Sequence, residues 1–284
     1  MLATFLPADA IISGMELQQI FIPRPGAPMR AACFMSGSGT NTRRIIERSL
    51  QPDASFRVEL IFTDVKDSAV RRGGGKACRA LDIVEEYGVA YECVDIADFY
   101  AERGHSTKLD LSLRPEFDRL VLTKVEPHGI DLVVLAGYMS ITTAPVLERF
   151  HGRMINVHPA DLSIQSGLDR RYVGMHTVRD AILAGEMSLR ASTHIVREKV
   201  DHGEILVVSK PVPVILPPGV SPEKLRSDRE AMRRVVEEHQ ERLKVEGDWV
   251  VYPLTVQMIG EGRFSLGGGA AYLDGAPVPN GFRL

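Results

Sequence analysis

Asn156 and His158 stand two residues apart in "MINVHP", where an apolar run meets Pro159. Residues two apart in a strand point to the same side, so this spacing sets an amide beside an imidazole at a strand's carboxyl end. Such a pair suits acyl-type chemistry. The amide N–H can hold a carbonyl oxygen, and an imidazolium can stabilise the developing oxyanion and manage a proton. The same letters also fit a histidine bonded to backbone near a turn, and an isolated "NxH" favours that plainer reading. Asp201, in "KVDHGEIL", is a carboxylate that beside His158 would raise its pKa and fix its orientation. An aspartate two residues before a glycine is also a common turn residue. His194, in "ASTHIV", either faces the same crevice or fills the core.

A second constellation is "MSGSGTN" (35–41). Gly37 and Gly39 let backbone approach a ligand closely. Free N–H groups at a helix start, with the positive end of its dipole, favour a phosphate, and Thr40 and Asn41 add side-chain donors. The loop fits a tight strand–helix turn equally well. Neither "GxGxxG" nor "GxxxxGK[ST]" is present, so neither NAD nor ATP is favoured. The GxSxG elbow is missing, no cysteine sits in a nucleophile motif, and no His/Asp/Glu cluster has metal spacing, so no metal is expected.

The elements that must position these residues follow from the changing hydrophobic period. "RAACFMS", "FRVELIFTD", "YECVDI", "DLVVLAGY" and "MINVHP" read as strands. "TRRIIERSL", "KACRALDIVEEYG", "RPEFDRLVLTKVEPHG", "TAPVLERF" and "HTVRDAILAGE" read as the helices between or after them. Continuous Val and Leu in "DLVVLAGY" suit a strand buried on both faces. Alternating strands and helices imply βαβ units and a parallel sheet. After residue 188 the pattern predicts two strands joined through "KVDHGE", charged helix over about 222–246, helix in "VYPLTVQMIGEG", and short terminal strands. "RRGGGK" (71–76) reads as a flexible loop. Residues 1–28, with three prolines in "FIPRPGAPM", read as an extension outside the main fold, with Met29 an alternative start.

Composition sets outer bounds. The chain has 284 residues, 44% hydrophobic and 25% charged, with formal net charge −3, which suits a globular enzyme and not a protein built around nucleic-acid backbone. No apolar run is long enough to span a bilayer, and the N-terminus lacks signal-peptide form. Cys33, Cys78 and Cys93 read as reduced core residues of a cytoplasmic protein.

Taken in order, "MSGSGTN", "LRPEFDR", "DLVVLAGYMSI", "MINVHP", "GMHTVRDAILAGE", "STHIV", "VDHGEILVVSKPVPV" and "VYPL…AYLDG" resemble the folate-dependent phosphoribosylglycinamide formyltransferases, within the formyltransferase superfamily. The resemblance covers roughly residues 29–284. It implies a Rossmann-like α/β fold: an open, mostly parallel sheet flanked by helices, with a C-terminal antiparallel extension. The N-terminal half would bind phosphate and nucleotide, and the C-terminal half would bind folate and catalyse. It assigns catalysis to Asn156, His158 and Asp201, and substrate phosphate to Gly39, Thr40 and Asn41. Folate falls to Arg114, Tyr138, Met139, Ser140, Ile141 and Val200, the last in a closing loop (197–201). Asp248 would contact the ribonucleotide, with Glu238 its rival.

By the same resemblance, the amine of the ribonucleotide attacks the formyl carbon of 10-formyltetrahydrofolate. Asn156 and protonated His158 stabilise the oxyanion, and Asp201 keeps His158 charged. Partners would be small molecules only, with no nucleic acid and no membrane, and the protein a monomer or homodimer. This chain departs from the pattern at three places. "ADLSIQSGLDRRYVGMH" is longer than the usual path after "NVHP", Ser140 stands where arginine is common, and His202 replaces a glycine. The first borders the acceptor site. It keeps open a formyltetrahydrofolate hydrolase, transfer to another amine, and a non-catalytic folate- or nucleotide-binding relative.

Overall fold

The computed structural model describes residues 16–71 and 73–284. Residues 1–15 of the expected extension, and Arg72 of the "RRGGGK" loop, lie outside the described residues. The first half runs β1 (Gln18–Gln19), β2 (Met29–Met35), α1 (Thr40–Ser49), β3 (Phe56–Thr63), α2 (Ala80–Tyr87), β4 (Ala90–Cys93), α3 (Ile96–Ala101), α4 (Arg114–Val125), β5 (Leu132–Leu135), α5 (Ala144–Arg149) and β6 (Met154–His158). A hairpin of β7 (Gln165–Ser166) and β8 (Asp169–Arg170) follows. Then come α6 (Thr177–Leu183), β9 (Ser188–Leu189), β10 (Ser192–Ile195), β11 (Ile205–Val208) and β12 (Val212–Pro213). The chain closes with α7 (Pro222–Ser227), α8 (Arg229–Leu243), α9 (Trp249–Gly260), β13 (Phe264–Gly267), β14 (Ala270–Leu273), β15 (Ala276–Pro277) and β16 (Phe282–Arg283).

Eight strands form the central sheet in the order β16-β11-β10-β6-β5-β2-β3-β4. Only β10 runs against its neighbours; β2 to β6 are mutually parallel. The expected open, mostly parallel sheet is therefore what the chain builds. The order reverses beside β2. The chain first adds strands outward to β4, then returns to place β5 on the other side of β2. A crevice opens at the carboxyl ends of the strands at such a reversal.

Both faces of the sheet are covered, which explains the unbroken apolar letters of β5. Leu132 and Val134 enter a core shared with α1 and α9, while Val133 and Leu135 enter a second core with Phe117 and Val121 of α4. All four are buried. On β6 the same alternation sends Ile155 into the first core, and Tyr252 of α9 donates its hydroxyl to the Ile155 carbonyl at 3.1 Å. Asn156 and His158 thereby fall on the opposite face.

A separate antiparallel sheet, β1-β13-β14-β15, contains the short C-terminal strands expected from "RFSLGGGAAYLDGAPVP". Its edge comes from the N-terminal segment. Gln18 and Gln19 pair with Leu266 and Ser265, and Ile20 and Phe21 are buried. Residues 16–28 are thus packed onto the domain, because two adjacent apolar side chains in that segment find the main core.

Candidate active site

The antiparallel pairing of β10 with β6 sets Asn156 opposite His194 and His158 opposite Ser192. Paired residues share a face, so two histidines and an amide point to one side of the sheet. The β10–β11 loop brings Asp201 to them. One carboxylate oxygen lies 3.5 Å from His158 Nδ1, and the other lies 3.6 Å from His194 Nε2. His158, His194 and Asp201 are all buried. Asp201 also accepts the Gly174 N–H at 2.8 Å, and the carbonyl of Tyr172 lies 3.1 Å from His158 Nε2. Each ring nitrogen of His158 therefore faces an oxygen.

Those oxygens favour the doubly protonated ring, yet the net direction is the opposite. Burial is the largest influence and lowers the His158 pKa below its ordinary value; the charge of Asp201 and the Tyr172 carbonyl pull it up, and Arg170 pushes it down. Burial also pushes His194 down to about 4, against the raising effects of the Ile195 carbonyl and Asp201. This corrects the expectation that Asp201 keeps His158 charged. The carboxylate acts in the expected direction, but desolvation of the imidazolium outweighs it.

At the carboxyl end of β2, Gly39 caps α1 with φ 67°, the left-handed region. A side chain there would meet Ile83 and come within 2.7 Å of Met35 Cε. The residue must be glycine both for its backbone and for its space. The first helical bond of α1 runs from Arg43 N–H to the Gly39 carbonyl at 3.0 Å, and its first turn carries neither a side-chain cap nor an acidic residue. The positive helix end is left open to an anion.

Asp248 lies on the π-helical turn Lys244–Asp248 that joins α8 to α9. Burial pushes its carboxyl up to about 7, against the neighbouring Asn41 side chain and the charge of Lys244. Glu238, its rival, is exposed on α8. Asn41 Oδ1, Asp248 Oδ1 and Trp249 Nε1 are all buried without a partner. Buried polar atoms normally find partners, so each of the three is an exception to the usual pattern.

The residues expected to meet folate divide into two sets. Met139, Ile141 and Val200 are exposed apolar side chains. Tyr138 packs edge-on against Phe34, ring centroids 5.5 Å apart. Ser140 is buried and donates to Asp64, which also accepts Ser36 Oγ at 2.5 Å. Ser36 Oγ in turn accepts the Met139 N–H at 2.9 Å, so Asp64 ties the loop after β2 to the loop after β5. Arg114 is 3% exposed, with its guanidinium on the carbonyls of Ile141 and Lys108 at 3.3 Å each. It braces those two segments from within, and only its buried Nε lacks a partner.

Sequence reasoning left His194 undecided and passed over Asp64 and Arg170. The signal for His194 was its alternation in β10, readable only once the register against β6 is known. Asp64 follows a strand end, the position from which open α/β sheets feed their crevices. Among the described residues no group of three His, Cys, Asp or Glu is arranged to hold a metal, and no helix is long and apolar enough to cross a membrane.

A mostly parallel α/β sheet gathers an amide, an imidazole and a carboxylate at its carboxyl edge, and the start of α1 leaves an open helix end. The sequence model described as "Formyl transferase" matches residues 29–231, well over half the chain. The chain belongs to the formyl transferase family. A phosphoribosylglycinamide formyltransferase of Haemophilus influenzae is 28% identical over 250 residues, covering 88% of this chain and 96% of that one. Its Mycobacterium tuberculosis counterpart is 31% identical over 191 residues, covering 67% of this chain and 74% of its own. The crystal structure of glycinamide ribonucleotide transformylase 1 from Symbiobacterium toebii is 25% identical. It superposes with a TM-score of 0.62 over 87% of this chain and 95% of that one.

Proposed function

We propose that this formyltransferase moves a formyl group from 10-formyltetrahydrofolate to the amine of 5'-phosphoribosylglycinamide. The observation that carries the reading is the Asp201 carboxylate lying 3.5 Å from His158 on the Asn156 face of the crevice. The similar proteins named for this reaction support the choice of substrates.

The residues present fit such a donor. Met139, Ile141 and Val200 offer exposed apolar surface against which a flat ring would lie, and Arg114 would steady the loop carrying two of them. The amine would bond to the formyl carbon of the donor as that carbon's bond to the folate nitrogen breaks, with one proton lost from the amine and one gained by the departing folate nitrogen. Asn156 would hold the formyl oxygen. His158 would donate a ring N–H to the charge growing there, its Nε2 giving up its present contact with the Tyr172 carbonyl to do so. Its lowered pKa makes it a willing proton donor once charged. Asp201 would stabilise the imidazolium and hold its orientation. On the acceptor side, the open end of α1 at Gly39, Thr40 and Asn41 would take the phosphate, and Asp248 would meet polar groups of the ribonucleotide. Holding two substrates in line can by itself supply about 7–11 kcal/mol of the barrier.

Folate turnover followed by absorbance, with phosphoribosylglycinamide, with other amines and with water alone, tests the reading. Turnover should depend on the ribonucleotide. An equal rate in water alone would make the protein a hydrolase, and a preference for another amine would reassign the acceptor.

A further inference from the structure

Asp201 occupies an uncomfortable backbone position. Its φ is 58°, the left-handed region that a residue with a side chain rarely takes, at a cost on the order of 1 kcal/mol or more. That conformation has to be held by something, because the loop between β10 and β11 has little room to relax. Any side chain at Gly203 would run into the Ile195 carbonyl.

The β7–β8 hairpin reaches across to this loop. Arg170, half-buried, donates to the Asp201 carbonyl at 2.5 Å and to the Gly203 carbonyl at 2.8 Å. One planar guanidinium therefore grips the backbone on both sides of His202. The preceding residue grips the same loop by side chains. Asp169 accepts from Lys199 Nζ at 2.9 Å and bonds to His202 Nε2. The turn segment after the hairpin adds the Tyr172 carbonyl on His158 and the Gly174 N–H on Asp201. No hydrogen bond joins these hairpin side chains to the imidazole of His158, although the charge of Arg170 is felt there.

We propose that the hairpin 165–170 is a clamp on the loop 197–203, and that Arg170 is a positioning residue. It pins the backbone of Asp201 so that the carboxylate sits between His158 and His194. The proposal rests on the formyl-transfer reading for its rate consequences, though not for its structural ones. A lysine at 170 could reach one carbonyl but could not bridge two, so the fork of the guanidinium is the feature that matters.

The test compares Arg170→Ala, Arg170→Lys, Asp201→Asn and the double variant Arg170→Ala/Asp201→Asn in full-length protein. Hydrogen exchange over 197–204 and steady-state formyl transfer are measured on each. Arg170→Ala should speed exchange in that loop and lower kcat about 10- to 100-fold, the scale of a small misplacement near reacting atoms. KM for the amine should change less than about threefold, because the clamp does not touch the open end of α1. Arg170→Lys should recover part of the loss. The double variant should lose much less than the product of the two single losses, since both changes act mainly through one carboxylate.

Losses that multiply in the double variant, or unchanged exchange in Arg170→Ala, overturn the clamp. Full activity in Asp201→Asn would instead overturn the catalytic reading, and the exchange result would still decide the clamp. If Arg170→Ala does not fold, Asp169→Asn serves in its place. It should loosen 199–203 with a smaller rate loss, and an unaltered loop would count against the proposal.

Discussion

The loop after β2 and the loop between β10 and β11 both deliver polar groups to the crevice, but they are held by different means. The first is local. Gly39 turns the chain, α1 starts at once, and the open helix end belongs to the same short segment. The second is held from elsewhere. Asp201 depends on Gly174, on Arg170 of the hairpin, and on the antiparallel pairing that brings His194 alongside. Anion binding at a helix end needs only backbone direction, which a few residues can set. A buried carboxylate between two imidazoles needs its orientation enforced by many groups, because desolvation works against every charge in the cluster.

Substitutions should separate the two regions, and the largest effect should fall in the second. His158→Ala should cost about 10²- to 10⁴-fold in kcat with little change in thermal unfolding, the usual worth of a positioned acid or base. Full activity in that variant would remove the catalytic assignment. The first region should respond in stability. Gly39→Ala places a side chain against Ile83 and Met35 at positive φ, so about 1–3 kcal/mol should be lost in denaturant unfolding. An unchanged midpoint would show that the turn is less constrained than its geometry says.

Asp248 sharpens the contrast. Its carboxyl is raised toward 7 when folded, from 3.8. Between those values the folded state binds more protons than the unfolded state, so this group's contribution to stability falls as pH rises through 7. Asp248→Asn should therefore raise the unfolding midpoint at pH 8, by about 1–3 kcal/mol in stability, while raising KM for the ribonucleotide. A midpoint that drops instead would mean that the charged form is well paired.

The histidines give the opposite slope and the smallest effect. His158 and His194 both titrate below 6.5 when folded, so between that value and their folded values the unfolded state binds the extra protons. Stability from this pair should be complete above pH 6.5 and should fall as pH drops below it. Unfolding at pH 5 and pH 7, in wild type and in His194→Gln, reads this directly. The variant should lose part of the acid sensitivity, and an identical pH slope would exclude His194 as a source.

Much of the frame was legible in the letters. Hydrophobic runs of the right length placed β2, β3, β5 and β6, and β5, buried on both faces, has no polar residue at all. Asn156 and His158 could be put on one side of β6 from period two alone. The direction of the His158 shift was not legible, since it depends on how much protein surrounds the ring. Arg114 was expected beside folate, and its guanidinium lies on the carbonyls of Ile141 and Lys108. No spacing rule reveals which carbonyls a long side chain will meet.

By itself the sequence determined the alternation of β2 to β6 with α1, α2, α4 and α5, the glycine turn before α1 and the side of β6 that carries the amide and imidazole. Each follows from interactions within a few residues. Only the tertiary structure decided that Asp201 meets both His158 and His194, that Asp248 and not Glu238 lies beside Asn41, and that residues 169 and 170 hold the loop of Asp201. Those contacts join segments tens to hundreds of residues apart, and they arise from sheet register and packing, which no local pattern encodes.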